Sequence, residues 1–379
     1  MIYFDNSATT KPYIEVIETY TKVSTEFFGN PSSLHPLGKA SERLLNQARD
    51  MMANLMQIKP QEIIFTSGGT EGNNLAIKGA VYRLQSRGNH LITTSVEHAS
   101  VLEVFRQLEQ EGFSVTYLEP NNDGIITEKQ VKEAINEDTV LVSIIHVNNE
   151  VGTINPIQSI GKMLKEYPKV LFHVDHVQGI GKVPLNFHKS YIDLCTISAH
   201  KFHGIKGNGA LFIREGIRLH PLLNGGSQER KIRAGTENVP GAVAMVKALR
   251  LSLDNKNKLD DMRQINGYLE KQCAQINGVV INSPKERAPH LLNISIPGVK
   301  PEVLVQALAE KNIYVSTKSA CSSKLSEPSK VLLAMGYDED RASSAIRLSL
   351  SYDNTKEEAN EFLRQFKTVV ELLKKVVEK

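Results

Sequence analysis

The sequence predicts an α/β chain in which a mostly parallel sheet flanked by helices occupies roughly the first 250 residues and a smaller α+β region follows. Three observations carry that expectation. Apolar, β-branched runs recur with apolar residues at consecutive positions, as in strands covered on both faces. Segments of helical spacing separate several of these runs, and strand, helix, strand alternation builds parallel sheets. After a polar, lysine-rich patch at Asp254 to Lys258 the runs shorten.

Ahead of the first sheet strand, Leu44, Ala48, Met51, Met52 and Leu55 recur at helical spacing, so the helix there is expected to bury that face. The predicted sheet strands are Ile63 to Thr66, His90 to Thr94, Ser114 to Leu118, Val140 to Val147, Val170 to Val174, Ile192 to Ser198 and Ala210 to Ile213. Beyond the lysine-rich patch, Leu259, Met262, Ile265, Leu269 and Ile276 predict a helix. Short strands are expected at Val279 to Ile281, Leu291 to Ile296, Ile313 to Ser316 and Ile346 to Ser349. Phe362, Phe366, Val369, Val370 and Leu373 form the stripe of a closing helix. The expected division is a large domain over 15–254 and a small domain made of 1–14 and 255–379, the N-terminal strand joining the latter.

With 379 residues, 41% hydrophobic and 23% charged, the chain has ordinary globular composition and room for two cores. A net charge of +3 leaves no electrostatic footprint for nucleic acid or an anionic membrane. No apolar run approaches the ~18 residues that span a bilayer. Asp5 interrupts the N-terminus before an export signal develops, so a cytoplasmic protein is expected. Cys195, Cys273 and Cys321 are too few and too scattered for a disulfide framework, and no Cys-x-x-Cys spacing suggests zinc.

Five stations carry candidate chemistry. The run Thr66-Ser67-Gly68-Gly69-Thr70-Glu71-Gly72-Asn73 follows a strand and opens a helix, where backbone N–H groups and the helix dipole bind phosphate. It matches neither the dinucleotide nor the nucleoside triphosphate fingerprint, and taken alone it is equally an ordinary glycine-rich turn. Glu97-His98 and His146 to Glu150 each lie just past a strand, at the edge where a parallel sheet lines its ligand crevice. His98 and Asn149 are therefore candidates, although residues so placed more often only brace a loop.

The fourth station is a pair. One strand runs into Asp175, with Gln178 beyond it, and the next delivers Ser198-Ala199-His200-Lys201; if the strands are near neighbours, Asp175 and Lys201 face one crevice. Desolvation disfavours the charged form of a lysine leaving a buried strand, which makes its amine usable for imine formation. A phosphate cradle, a carboxylate that holds a pyridine nitrogen protonated and an imine-forming lysine are what pyridoxal 5′-phosphate needs. Lys206, beside Gly204 and Gly207, reads as a solvent loop and is the weaker candidate. The fifth station, Ser316 to Pro328, surrounds Cys321 with small and polar residues between Lys318 and Lys324, so an exposed, mobile loop with a thiolate-favouring field is expected. Cys195 and Cys273 fall on apolar elements, where packing accounts for them.

These stations, together with Phe4 to Thr10, Phe28 to Ser33, His173 to Lys182, Ser198 to Gly209, Arg233 to Thr236, Ser319 to Cys321, Glu327 to Ser329 and Ile346 to Leu350, resemble in order and spacing the cysteine desulfurases of the class V aminotransferase group, close to the NifS/IscS branch. The resemblance covers nearly the whole chain. It implies the pyridoxal phosphate fold type I: a mixed, mostly parallel seven-stranded sheet flanked by helices, with a smaller α+β C-terminal domain. The activity it implies removes sulfur from L-cysteine, giving L-alanine and a Cys321 persulfide that is passed to an acceptor.

Carried over to this chain, the resemblance implies that Lys201 binds the cofactor covalently, Asp175 pairs with its ring nitrogen, and His98 stacks on the ring and shuttles protons. Gly69, Thr70, Ser198 and His200 would hold the phosphate, joined by Thr236 of a second subunit in an obligatory homodimer. Gln178 and Asn149 would bond the ring hydroxyl region, and Arg347 would clamp the substrate carboxylate. His176 and the run Phe202-His203-Gly204-Ile205-Lys206 depart from the usual pattern without touching those roles. The chain ends at Lys379 without the longer tail of relatives that serve iron–sulfur scaffolds, which leaves a tRNA-thiolating enzyme beside such a scaffold as the expected acceptor. A selenocysteine lyase, another class V aminotransferase and an inactive sulfur-carrier relative are the alternatives.

Overall fold

The computed structural model describes residues 1–317 and 327–377. Its strands are β1 (Ile2–Tyr3), β2 (Ile63–Thr66), β3 (His90–Thr94), β4 (Ser114–Leu118), β5 (Thr139–Ile145), β6 (Leu171–Asp175), β7 (Leu194–Ser198) and β8 (Gly209–Ile213), then β9 (Val280–Ile281), β10 (Leu291–Ser295), β11 (Ile313–Tyr314) and β12 (Ala345–Ser349). Seven of them form one sheet in the order β2-β8-β7-β6-β5-β3-β4. Only β8 runs against its neighbours; the remaining pairs are parallel. β3, β5, β7 and β8 are buried at every position and β6 at all but its first, Leu171, which is why they read as continuous apolar runs.

All seven predicted sheet strands are present; β2, β3 and β4 have the predicted ends, and β5 to β8 are displaced by one or two residues. β5 stops at Ile145 because Val147 leaves the strand to bridge Ile154. The helix Pro36–Met56 buries Leu45, Ala48, Met52 and Ala53, whereas Met51 is 44% exposed. At ~100° per residue Met51 lies at the margin of the stripe, so its place in the predicted face is corrected. The helix Leu259–Cys273 ends before Ile276, which instead closes a turn onto Cys273 while still packing on the core.

A second, antiparallel sheet has the order β12-β10-β9, and β1 pairs in parallel with β11. Ile2 and Phe4 thereby join a core with Leu292, Ile294, Ile346, Leu348, Phe362 and Phe366. The helix Lys356–Val377 supplies the last two, whose rings stack 5.1 Å apart. Among the described residues no helix is long and apolar enough to cross a membrane, and no three His, Cys, Asp or Glu side chains cluster as metal ligands.

Candidate active site

The carboxyl-terminal ends of β2, β3, β5, β6 and β7 converge on a cavity of ≈ 170 Å³ lined by Gly69, Thr70, Asn73, His98, Ser100, Asn149, Asp175, Gln178, Ser198, His200, Lys201 and Arg347, with Ser7 and Ala8 at its edge. In an α/β sheet this is the edge where ligands bind. The register places Asp175 level with Ile145 on one side and Thr196 on the other, so the polar residues that follow β5, β6 and β7 emerge side by side. Every candidate site residue read from the sequence lies here except Thr236 and Cys321. Thr236 lines a different cavity, with Ser67, Asn208 and Arg233. Cys321 lies outside the described residues.

The turn after β2 presents the amino end of the helix Gly69–Leu84, capped by Gly68 with no side-chain hydrogen bond. Gly68 holds φ at +153°, a backbone angle that side chains rarely adopt. A Cβ on Gly69 would stand 3.1 Å from Val177 Cγ2, so the turn lies tight against the exit of β6. Glu71 accepts the Ser67 N–H and pairs with Arg233, fixing the turn from outside. The first N–H groups of the helix are left without intrahelical acceptors, as an anion site requires.

Asp175, at the end of β6, is 3% exposed. Its Oδ1 accepts the Val177 N–H at 2.9 Å and its Oδ2 accepts Asn73 Nδ2 at 2.8 Å. Asn73 also donates to Ser100 Oγ, and Ser100 bonds His98 Nδ1 at 2.8 Å. This chain from Asp175 to His98 was not foreseen. The signal available for Asn73 was its spacing of four from Gly69, which sets both on one helix face. His98 caps the helix Ala99–Gln110 by accepting the Ser100 N–H on Nδ1, which puts the proton of the neutral ring on Nε2. Burial holds its pKa below the ordinary value; Asp175 pulls the other way, and Lys201 and Arg347 reinforce burial.

Lys201 leaves β7 through the short turn Ala199–Lys201, and its Nζ donates to the carbonyls of Ser7 at 2.6 Å and Ala8 at 2.9 Å. Lys206 is exposed. Gln178 Nε2 donates to the Ser7 carbonyl, while its Oε1 is buried without a partner among the described residues, as is Asn73 Oδ1. His200 Nδ1 sits 3.2 Å from Thr9 Oγ1, and burial pulls its pKa down to about 3. Arg347, on β12, is 1% exposed; it donates to the Asn149 carbonyl and to Asp5 Oδ1, and its Nε has no partner among the described residues.

These residues fit pyridoxal phosphate. The uncapped helix end suits a phosphate, the buried Asp175 a ring nitrogen, the unpartnered Gln178 Oε1 a polar ring substituent, and Lys201 an aldehyde. Comparison with known proteins agrees. The family model described as aminotransferase class-V matches residues 2–362. A NifS/IcsS protein homolog of Lactobacillus delbrueckii is 45% identical, the match covering 99% of each chain. The cysteine desulfurase IscS of Dictyoglomus turgidum is 42% identical over 99% of this chain and 96% of its own. Among solved structures, a NifS-like protein superimposes with a TM-score of 0.93 at 36% identity, covering 98% of this chain and all (100%) of its own. SspA, solved in complex with cysteine, gives 0.83 at 34% identity over 92% and 99%. The chain belongs to the aminotransferase class-V family, as a pyridoxal phosphate enzyme of the NifS/IscS cysteine desulfurase type.

Proposed function

We propose that this protein removes the sulfur of L-cysteine, releases L-alanine, carries the sulfur as a persulfide on Cys321 and hands it to an acceptor thiol. The observation that carries the reading is the meeting of Lys201, Asp175 and the Gly68–Thr70 turn at one cavity beneath Arg347. Pyridoxal phosphate supplies an aldehyde that condenses with amines and a ring that accepts the electron pair left at the substrate's Cα. Asp175 keeps a proton on the ring nitrogen, held in place by Val177 and Asn73. Lys201 Nζ moves the Cα proton, and neutral His98 exchanges a proton through Nε2 at the opposite end of the Asn73–Ser100 chain. Gly69, Thr70, Ser198 and His200 hold the phosphate, Gln178 and Asn149 the ring substituents, and Arg347 the cysteine carboxylate.

The Cys321 thiolate attacks the cysteine sulfur, so the sulfur–sulfur bond forms as the carbon–sulfur bond breaks. The placement of Thr236 in a cavity apart from Lys201 supports its delivery from a second copy, hence a homodimer. We assign residues 15–254 to the cofactor-binding domain and 1–14 with 255–379 to the domain that carries Cys321. Replacing Cys321→Ser is expected to leave cofactor absorbance and cysteine binding intact and to abolish persulfide; full turnover by that variant would falsify the proposal. Labelled sulfur followed from cysteine to the receiving thiol assigns the acceptor to tRNA thiolation or iron–sulfur assembly.

A further inference from the structure

Behind the site lies a buried lysine that the reaction does not use. Lys182 is 3% exposed, and its Nζ donates to the carbonyl oxygen of Lys201 at 2.8 Å. It stands in the turn that follows β6, where its own N–H bonds the Gly179 carbonyl. On its far side it borders a separate cavity of ≈ 320 Å³ with Ile180, Leu249, Leu253 and Leu259.

The groups around it are basic or neutral. Lys201 and His203 act on it from the turn after β7, His176 from the end of β6 with His146 bonded behind it, and His290 from the approach to β10. Tyr352 donates its hydroxyl to the adjacent Gly181 carbonyl. Asp353 acts on His203, and the charges acting on Lys182 itself include no carboxylate among the described residues. Both ring nitrogens of His290 are buried without partners among the described residues. Burial and the neighbouring Lys201 together pull Lys182 down to about 7.

An ammonium group buried without a counter-ion costs several kcal/mol, so stability does not account for Lys182. A cation beside a catalytic lysine has a chemical use, because it disfavours the protonated amine and keeps the lysine nucleophilic. We propose that Lys182 is a positioning residue for Lys201, bonded to its backbone and placing a second positive charge behind it, so that the Lys201 nitrogen gives up its proton more readily. The interaction is reciprocal: loss of the proton from Lys201 lets Lys182 hold its own. This inference rests on the reading that Lys201 binds the cofactor.

The test uses the cofactor-loaded enzyme and follows the absorbance of the bound cofactor against pH, whose midpoint reports the proton on the Lys201 nitrogen. Lys182→Gln keeps an N–H donor for the Lys201 carbonyl and removes the charge, Lys182→Met removes both, and Lys182→Arg keeps both. The midpoint is expected to rise by about one pH unit in the Gln and Met variants and not to rise in the Arg variant. A Gln variant with the wild-type midpoint overturns the proposal, whether or not Met shifts it, since the hydrogen bond rather than the charge would then be at work. The Gln and Arg variants suffice if Met prevents folding. Lys201→Ala, run alongside, separates the two readings: persistence of the lysine-bound absorbance there would sink the assignment of Lys201 itself, independently of Lys182.

Discussion

Two arginine–carboxylate pairs in this molecule have a buried guanidinium group and differ in how completely it is satisfied, the carboxylate being buried in one and half-buried in the other. Arg49 and Glu229 join the helix Pro36–Met56 to the turn Gln228–Lys231. Both guanidinium Nη atoms reach Glu229, Nη1 also donates to the Ile63 carbonyl, and Glu229 accepts the Phe65 N–H. The Arg49 guanidinium lies 4.8 Å from the centre of the Phe65 ring. Arg347 and Asp5 meet through one contact at 3.1 Å, and among the described residues Arg347 Nε is left buried and unbonded. Burial pushes the Asp5 carboxyl above its usual range even though Arg347 and Ser316 pull it down.

The difference teaches where to look for binding. A buried charge costs free energy unless its hydrogen bonds are complete, so a complete pair is a staple and an incomplete one is a receptor. The Arg49 pair holds down Glu229, Arg230 and Lys231, three consecutive non-glycine residues with φ of 39°, 58° and 64°, in the approach to Thr236. Arg347 lines the cavity that holds Lys201 and Asp175, and its Nε has no hydrogen-bond partner among the described residues, as the proposed cysteine-carboxylate role requires.

The largest expected effect belongs to the staple. Arg49→Ala strands Glu229 in the interior and is expected to cost ~3–5 kcal/mol in denaturant unfolding, with the KM for cysteine unchanged in the protein that remains folded. A loss below ~1 kcal/mol would erase the distinction between the pairs. Next, Arg347→Ala is expected to raise the KM for cysteine ~10–100-fold, the worth of charge-assisted hydrogen bonds to one carboxylate, with a smaller loss of stability than Arg49→Ala. If KM stays put, Arg347 is a staple too.

The smallest effect concerns Asp5. A carboxyl whose folded pKa lies above its unfolded value contributes stability below the unfolded pKa and loses it as pH rises through the folded one. Asp5→Asn removes that dependence, so the variant should gain a few degrees in Tm over wild type near pH 7 and nothing at about pH 3. A variant less stable than wild type near pH 7 would make the Asp5 pair a second staple.

Much of the site is legible in the sequence. The phosphate turn, Asp175, Lys201 and His98 announce themselves because each follows an apolar run directly, and strand ends in parallel sheets are where ligands bind. Arg347 was legible as buried from its apolar strand, yet its partners were not. Met51 shows the reverse failure, since a residue at the edge of a helical stripe can fall to either side.

By itself the sequence determined the strands and helices, the open helix end at Gly68 and the residues standing at each strand terminus, since these follow from spacing along the chain. The tertiary structure alone decided that Asn73 braces Asp175, that the carbonyls of Ser7 and Ala8 receive Lys201, that Asp5 holds Arg347 and that Lys182 bonds the Lys201 carbonyl. Those partners lie up to 342 residues apart, and no local pattern encodes them. They meet because the order β2-β8-β7-β6-β5-β3-β4, and the return of β1 to β11, bring distant strand ends to one edge, where each buried polar atom must find an acceptor or a ligand.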